Sequence, residues 1–147
     1  MKPKILLRIA ALLMLLHTIG HTFGALGWKN APNATIARVI REMIVNHFDF
    51  MGKSVTVASF FEGYGVSLIG VLLLVIILLW FLSNDTENQF SIKYLAVLML
   101  FLIFDGVVEY IYFFPLAAAF TMLAGICALF ALTSIYRNNK QVLLKNN

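Results

Sequence analysis

The chain has 147 residues, of which 61% are hydrophobic and only 12% are charged, and its formal net charge is +4. Soluble domains carry about a quarter charged residues, so this composition predicts a protein whose main partner is the lipid bilayer. The length allows one compact membrane domain. The basic residues lie at the chain ends and in the connections, where they set topology, so nucleic-acid binding is not expected.

Four long apolar segments predict four transmembrane helices, because a helix needs about 20 apolar residues to cross the bilayer core. The predicted spans are residues 5–28, 63–83, 92–112 and 115–136, followed by a tail at 137–147. The very short turn at Phe113 and Phe114 predicts that the last two spans form an antiparallel hairpin. The predicted fold is therefore an all-α, integral membrane four-helix bundle.

The connection between the first two spans is predicted to contain an amphipathic helix over residues 33–47. Apolar residues recur there at helical spacing, at Ile36, Val39, Ile40, Met43 and Ile44. Such a helix either lies in the outer membrane interface or caps the bundle, and its apolar stripe suits both positions.

The distribution of lysine and arginine predicts the orientation of the chain. Seven of these residues lie on the side of the chain termini, and four lie in the first connection. The positive-inside rule therefore places both termini in the cytoplasm and the chain in the inner or plasma membrane. A rival interpretation is a signal peptide cleaved before Trp28, but Arg8 interrupts its apolar region. An uncleaved first helix is favoured.

We select five ionisable side chains within or beside the predicted spans as candidate functional residues, because such groups are costly in lipid and are treated as functional by default. They are His17, His21, Glu62, Asp105 and Glu109. The two histidines are four residues apart, as are Asp105 and Glu109, so each pair shares a helical face. Because all five have similar predicted depths, they are predicted to converge in one intramembrane pocket.

The leading interpretation of this cluster is a pocket for a small apolar or amphiphilic, lipid-like ligand that enters from the bilayer. Asp105 and Glu109 would repel each other as anions, so at least one should be protonated or paired with imidazolium. A carboxyl group and a histidine in this state suit general acid–base chemistry. The residues leave open whether any reaction takes place.

A divalent metal is a minority alternative, with His17, His21, Glu62, Asp105 and Glu109 as ligands, because imidazole and carboxylate bind zinc, iron or manganese. The sequence HTIGH lacks the glutamate of the HExxH motif. Haem is disfavoured, because the two histidines share one helical face and axial ligands must approach from opposite faces.

The other alternative is a structural or accessory membrane subunit whose polar seam serves helix packing, either with a second copy or with a membrane-complex partner. Each predicted span carries small or polar residues along one side. On the fourth span these residues are Ala117, Thr121, Ala124, Ala128 and Ala131.

Three stretches carry a family resemblance: LLRIAALLMLLHTIGHTFGALGWK, FMGKS and EGYGVSLIGVLLLVIILLWFLS. Together they are similar to a family of small bacterial membrane proteins with four spans. The resemblance extends over most of the chain. It implies an inner-membrane location and no particular reaction.

Overall fold

The computed structural model describes residues 2–145, which form five α-helices and one two-stranded sheet. The elements in chain order are α1 (Pro3–Gly27), α2 (Ala34–Val45), β1 (His47–Phe50), β2 (Lys53–Thr56), α3 (Val57–Asn84), α4 (Gln89–Tyr112) and α5 (Pro115–Lys145). All the helices except α2 are long and apolar enough to cross a membrane. The structure therefore confirms the predicted all-α, multi-pass membrane fold.

The helix ends follow local chemistry. Asn88 caps α4, because its side chain accepts a hydrogen bond from the backbone N–H of Phe90 at 2.9 Å. Pro115 opens α5, where its missing N–H costs nothing. No proline or glycine follows Gly125, and α5 continues past the predicted end of the fourth span to Lys145. The segment predicted as a tail is thus helical up to that residue.

The chain forms two compact units. Described residues 2–18 and 72–145 form the first, which we call the terminal unit, and residues 19–71 form the second, the central unit. The terminal unit contains parts of α1 and α3 together with α4 and α5. Its largest fully buried side chains come from all four helices and are Leu7, Met14, Leu72, Leu79, Leu95, Leu102, Thr121 and Ser83.

Small residues bring α4 and α5 close together in the terminal unit. A Cβ atom added to Gly106 of α4 would lie only 3.1 Å from the backbone nitrogen of Met122 on α5. On α5, Ala124, Ala128 and Ala131 are completely buried. Helices in lipid associate through such close packing, because lipid chains are as apolar as the helix surfaces.

The central unit contains a β-hairpin that was not predicted, since the sequence analysis assigned no structure between the predicted helix over residues 33–47 and the span that begins at residue 63. His47 pairs with Thr56 and Phe50 with Lys53, leaving Met51 and Gly52 as a two-residue turn. Both turn residues have positive φ, 52° and 81°, as in the turns that match the twist of a hairpin. The helix predicted over residues 33–47 is confirmed as α2, which ends two residues earlier.

Candidate functional site

His17 lies at the centre of a buried hydrogen-bond network in the terminal unit. Its Nδ1 is 2.8 Å from the hydroxyl of Thr121 on α5. Its Nε2 is 3.3 Å from Oε1 of Glu109 on α4. The three residues are 5%, 0% and 6% exposed, respectively. We call these three residues the His17 network, which connects α1, α4 and α5.

Small neighbours allow the three helices to meet at this point. Gly106 lies one turn before Glu109 and packs against the backbone of Met122, the residue that follows Thr121. The side chain of Thr121 stands in the alanine-rich stripe of α5, where it leaves room for an imidazole. Glycine and alanine thus set the short distances within the His17 network.

Thr121 gives the network two arrangements of its hydrogen bonds. With a neutral imidazole protonated at Nε2, His17 donates to Glu109 and accepts the hydroxyl proton of Thr121 at Nδ1. With an imidazolium, Nδ1 donates to Thr121, whose hydroxyl then donates to the carbonyl oxygen of Ala117, 3.5 Å away. The threonine hydroxyl can therefore follow either protonation state of the histidine.

The second carboxyl oxygen of Glu109 is buried. Glu109 Oε2 has no hydrogen-bond partner among the described residues. A buried polar atom in this condition is costly, and native proteins usually supply it with a partner. Glu109 Oε2 is therefore the atom of the His17 network that still has the capacity to accept a hydrogen bond.

Asp105 belongs to the same helix as Glu109 and lies one turn before it. The side chain is only partly buried, whereas Glu109 is buried. The structure therefore brings His17 and Glu109 together and places Asp105 one turn away along α4.

His21 and Glu62 have partners within the central unit. The Nε2 atom of His21 lies 3.0 Å from the carbonyl oxygen of Gly65 on α3. Glu62 forms an ion pair with Lys29 at 2.6 Å, and both side chains are about half exposed. The convergence of all five ionisable residues in one pocket stays a prediction.

The five predicted residues form no metal cluster in the part of the chain that the structure describes. Among residues 2–145 no group of three or more histidine, cysteine, aspartate or glutamate side chains is placed to hold a metal ion. A shallow depression of about 280 Å³ occurs on the central unit. Its lining consists of Ser59, Phe60, Gly63, Tyr64 and Ser67.

Thr121 belongs to the His17 network, although the sequence analysis did not select it as a candidate site residue. It was assigned to the close-packing face of the fourth span along with four alanines. The sequence did contain a signal. Among the small residues of this stripe, only the threonine has a side chain that can form a hydrogen bond with a buried histidine.

Comparison with known proteins gives one similarity. Residues 81–143 match the family described as NADH-ubiquinone/plastoquinone oxidoreductase, chain 3. No curated protein and no solved structure matches the chain. The matched segment contains all of α4 and most of α5, with Glu109 and Thr121, and is less than half of the 147 residues. Over these two helices the chain is similar to a chain of that oxidoreductase.

Proposed function

We propose that this protein is an accessory subunit of a membrane-bound oxidoreductase complex, and that α4 and α5 pack against its partner subunits. The observation that carries the proposal is the match of residues 81–143 to chain 3 of the NADH-ubiquinone/plastoquinone oxidoreductase family. The matched segment coincides with the two helices that pack closely on each other. The two helices therefore form a helical hairpin against which partner subunits can pack.

The His17 network supports a role in helix packing. Nδ1 and Nε2 of His17 both have partners within the chain, on α5 and α4. A histidine held in this way joins helices, and buried hydrogen bonds between membrane helices commonly stabilise a bundle. The polar seam thus favours the structural and accessory alternative over a pocket open to substrates.

The outward face of α4 is the surface that we assign to a partner helix. It carries large, exposed apolar side chains at helical spacing: Val97 (67%), Leu100 (64%), Phe104 (68%) and Ile111 (64%). Membrane helices associate through shape rather than through hydrophobicity, so a change of shape on this face should weaken assembly.

A bulky substitution on this face tests the proposal. The tagged full-length protein is solubilised from native membranes in a mild detergent, cross-linked and separated on a native gel. We expect it to migrate with subunits of an NADH-oxidising complex, identified by mass spectrometry, and we expect Leu100→Trp to reduce that co-migration. Val66→Trp is the matched control, because Val66 is 61% exposed on α3 and lies outside the matched segment. Migration of the unsubstituted chain apart from every subunit of such a complex would overturn the proposal.

We propose further that both termini are cytoplasmic and that the chain lies in an inner or plasma membrane. The support is the excess of lysine and arginine on the side of the termini. Reporter fusions after Asn30, after Asn88 and at the C-terminus test this orientation. Cytoplasmic activity of the fusion after Asn30 would reverse it.

A ligand pocket is the second candidate function, and Glu109 Oε2 is the observation that favours it. A small amphiphilic molecule with a hydroxyl or amine group would donate a hydrogen bond to this oxygen. Mass spectrometry of lipid extracts from the purified protein should then reveal a retained compound that is lost in Glu109→Gln, whose amide can place a donor at that position. Thr133→Val is the control, because Thr133 is exposed and its hydroxyl bonds to Phe130 on its own helix. Extracts with only bulk phospholipid would exclude this candidate.

A further inference from the structure

The β1–β2 hairpin has one apolar and one polar face. Phe48 lies opposite Val55, and Phe50 lies opposite Lys53. Opposed residues of an antiparallel pair project to the same side, and successive residues alternate between sides. One face therefore carries two phenylalanines and a valine. The other face carries His47, Thr56, Asp49 and Ser54.

The apolar face of the hairpin is attached to the first turns of α3. The ring of Phe60 lies 6.2 Å from the ring of Phe48 and 5.4 Å from that of Phe50. One turn further along α3, the ring of Tyr64 stacks on Phe60 at 6.5 Å. Because Phe60 and Tyr64 belong to the first two turns of α3, these contacts hold the hairpin against the start of that helix.

Much of this apolar surface remains exposed. Phe48 is 42% exposed, Phe50 is 49% exposed and Met51, at the tip of the turn, is 93% exposed. Met51 also has a φ of 52°, a conformation in which glycine and asparagine are more usual. The tip thus retains a large apolar side chain at a position where a small or polar residue would fit the backbone better.

The neighbouring helix α2 shows the same property. It has an apolar stripe, yet none of its residues is buried. Ile36, Val39 and Ile44 are each at least 40% exposed. An amphipathic helix in water would bury such a stripe, so α2 and the hairpin both present apolar surface that the chain itself leaves uncovered.

We propose that α2 and the β1–β2 hairpin form a phospholipid-binding surface, with Met51 and the apolar face of the hairpin inserted at the boundary between head groups and acyl chains. The segment is tied at both ends to spanning helices, α1 and α3, so the bilayer is the apolar phase nearest to it. Elements of this kind enter the interface by about 5–10 Å. Arg38, Arg41 and Lys53 supply positive charge for phosphate groups.

Lys53 fits this position because its side chain combines an apolar stem with a charged end. It shares the apolar face of the hairpin with Phe50, its partner across the turn. A lysine so placed lays its methylene groups along the apolar surface and extends its ammonium group to the head groups. The inserted face therefore ends in a charge that matches lipid phosphate.

A fluorescent label at the tip tests the proposal in the full chain. The background is Cys127→Ser, since Cys127 is the only cysteine, and the protein is reconstituted in nanodiscs of phosphatidylcholine and phosphatidylglycerol. An NBD label at Met51→Cys should emit at shorter wavelength than one at Ser54→Cys, on the polar face. It should also be quenched more by lipids spin-labelled near the head group and less by aqueous iodide. Equal iodide quenching at the two positions, without quenching by lipid, would overturn the proposal.

Photo-cross-linking of the unsubstituted protein provides a measurement that is independent of the variants. Phospholipid with a diazirine near the head group should label the peptide that contains residues 47–56, with the adduct on Phe50 or Met51. Labelling confined to the spanning helices would contradict the proposal and would indicate that the surface binds a protein partner instead. Because these nanodiscs contain only the purified chain and lipid, the result does not depend on any oxidoreductase complex.

Discussion

The Nε2 atom of His17 lies 3.3 Å from Oε1 of Glu109, and this contact joins the first and fourth helices of the chain inside an apolar core. Both side chains are buried. An isolated charge in such surroundings is strongly disfavoured, so each residue depends on the other. The contribution of this contact to stability can therefore be measured by substituting the two residues separately and together.

A double-mutant cycle on His17 and Glu109 measures this dependence. His17→Leu and Glu109→Leu should each lower the free energy of unfolding, and the pair should show a coupling energy of about 0.6–1.7 kcal/mol, the range for polar contacts between membrane helices. Unfolding in mixed micelles provides the measurement. The control cycle combines Thr133→Val with Glu109→Leu and should be additive, because the exposed hydroxyl of Thr133 bonds only within its own helix, to Phe130. Additivity in both cycles would mean that the contact between His17 and Glu109 contributes nothing to the free energy of unfolding.

Thr121→Val should destabilise the protein by about 1 kcal/mol, because it removes a buried hydrogen bond while nearly preserving the side-chain volume. Thr133→Val is the control on the same helix. Thr133 is exposed, and its hydroxyl bonds only locally, to the carbonyl oxygen of Phe130 at 3.0 Å. Equal effects of the two substitutions on the free energy of unfolding would show that the 2.8 Å contact with His17 is not a stabilising bond.

Gly106→Ala should cost about 1–3 kcal/mol, the usual range for overpacking. The new methyl group would lie 3.1 Å from the backbone nitrogen of Met122, which cannot move without shifting α5. Gly70→Ala is the control, because nothing lies within 4 Å of a Cβ atom at that position. Thermal unfolding in detergent compares them. A Gly106→Ala protein as stable as the control would refute the close approach of α4 and α5.

Glu62→Gln should leave the stability almost unchanged, since the ion pair of Glu62 with Lys29 is exposed to solvent. Any small loss should disappear at high salt, because salt screens exposed charges. Unfolding at low and high ionic strength checks both statements. A large, salt-independent loss would instead place Glu62 in the buried cluster that the sequence analysis predicted.

Hydropathy was sufficient for the spans, because 20 or more apolar residues have few alternatives to a membrane helix. The hairpin was missed because its strands have only four residues each and its turn, Met51–Gly52, lacks the usual Asn-Gly signal. Helical spacing placed Asp105 and Glu109 on one face, yet side-chain packing buried only Glu109. The spacing of residues within one helix does not reveal which residue of another helix packs against it. The contact between Thr121 and His17 is therefore seen only in the structure.

The wide sequence separation within the His17 network has a consequence for biogenesis. Thr121 follows His17 by 104 residues. At about 5–20 residues per second, the ribosome needs roughly 5–20 s to complete that distance. During this interval the first helix exists without the two side chains that accompany its imidazole in the finished protein. Until the last two helices are inserted, His17 must therefore either remain uncharged or be kept out of the lipid by the insertion machinery.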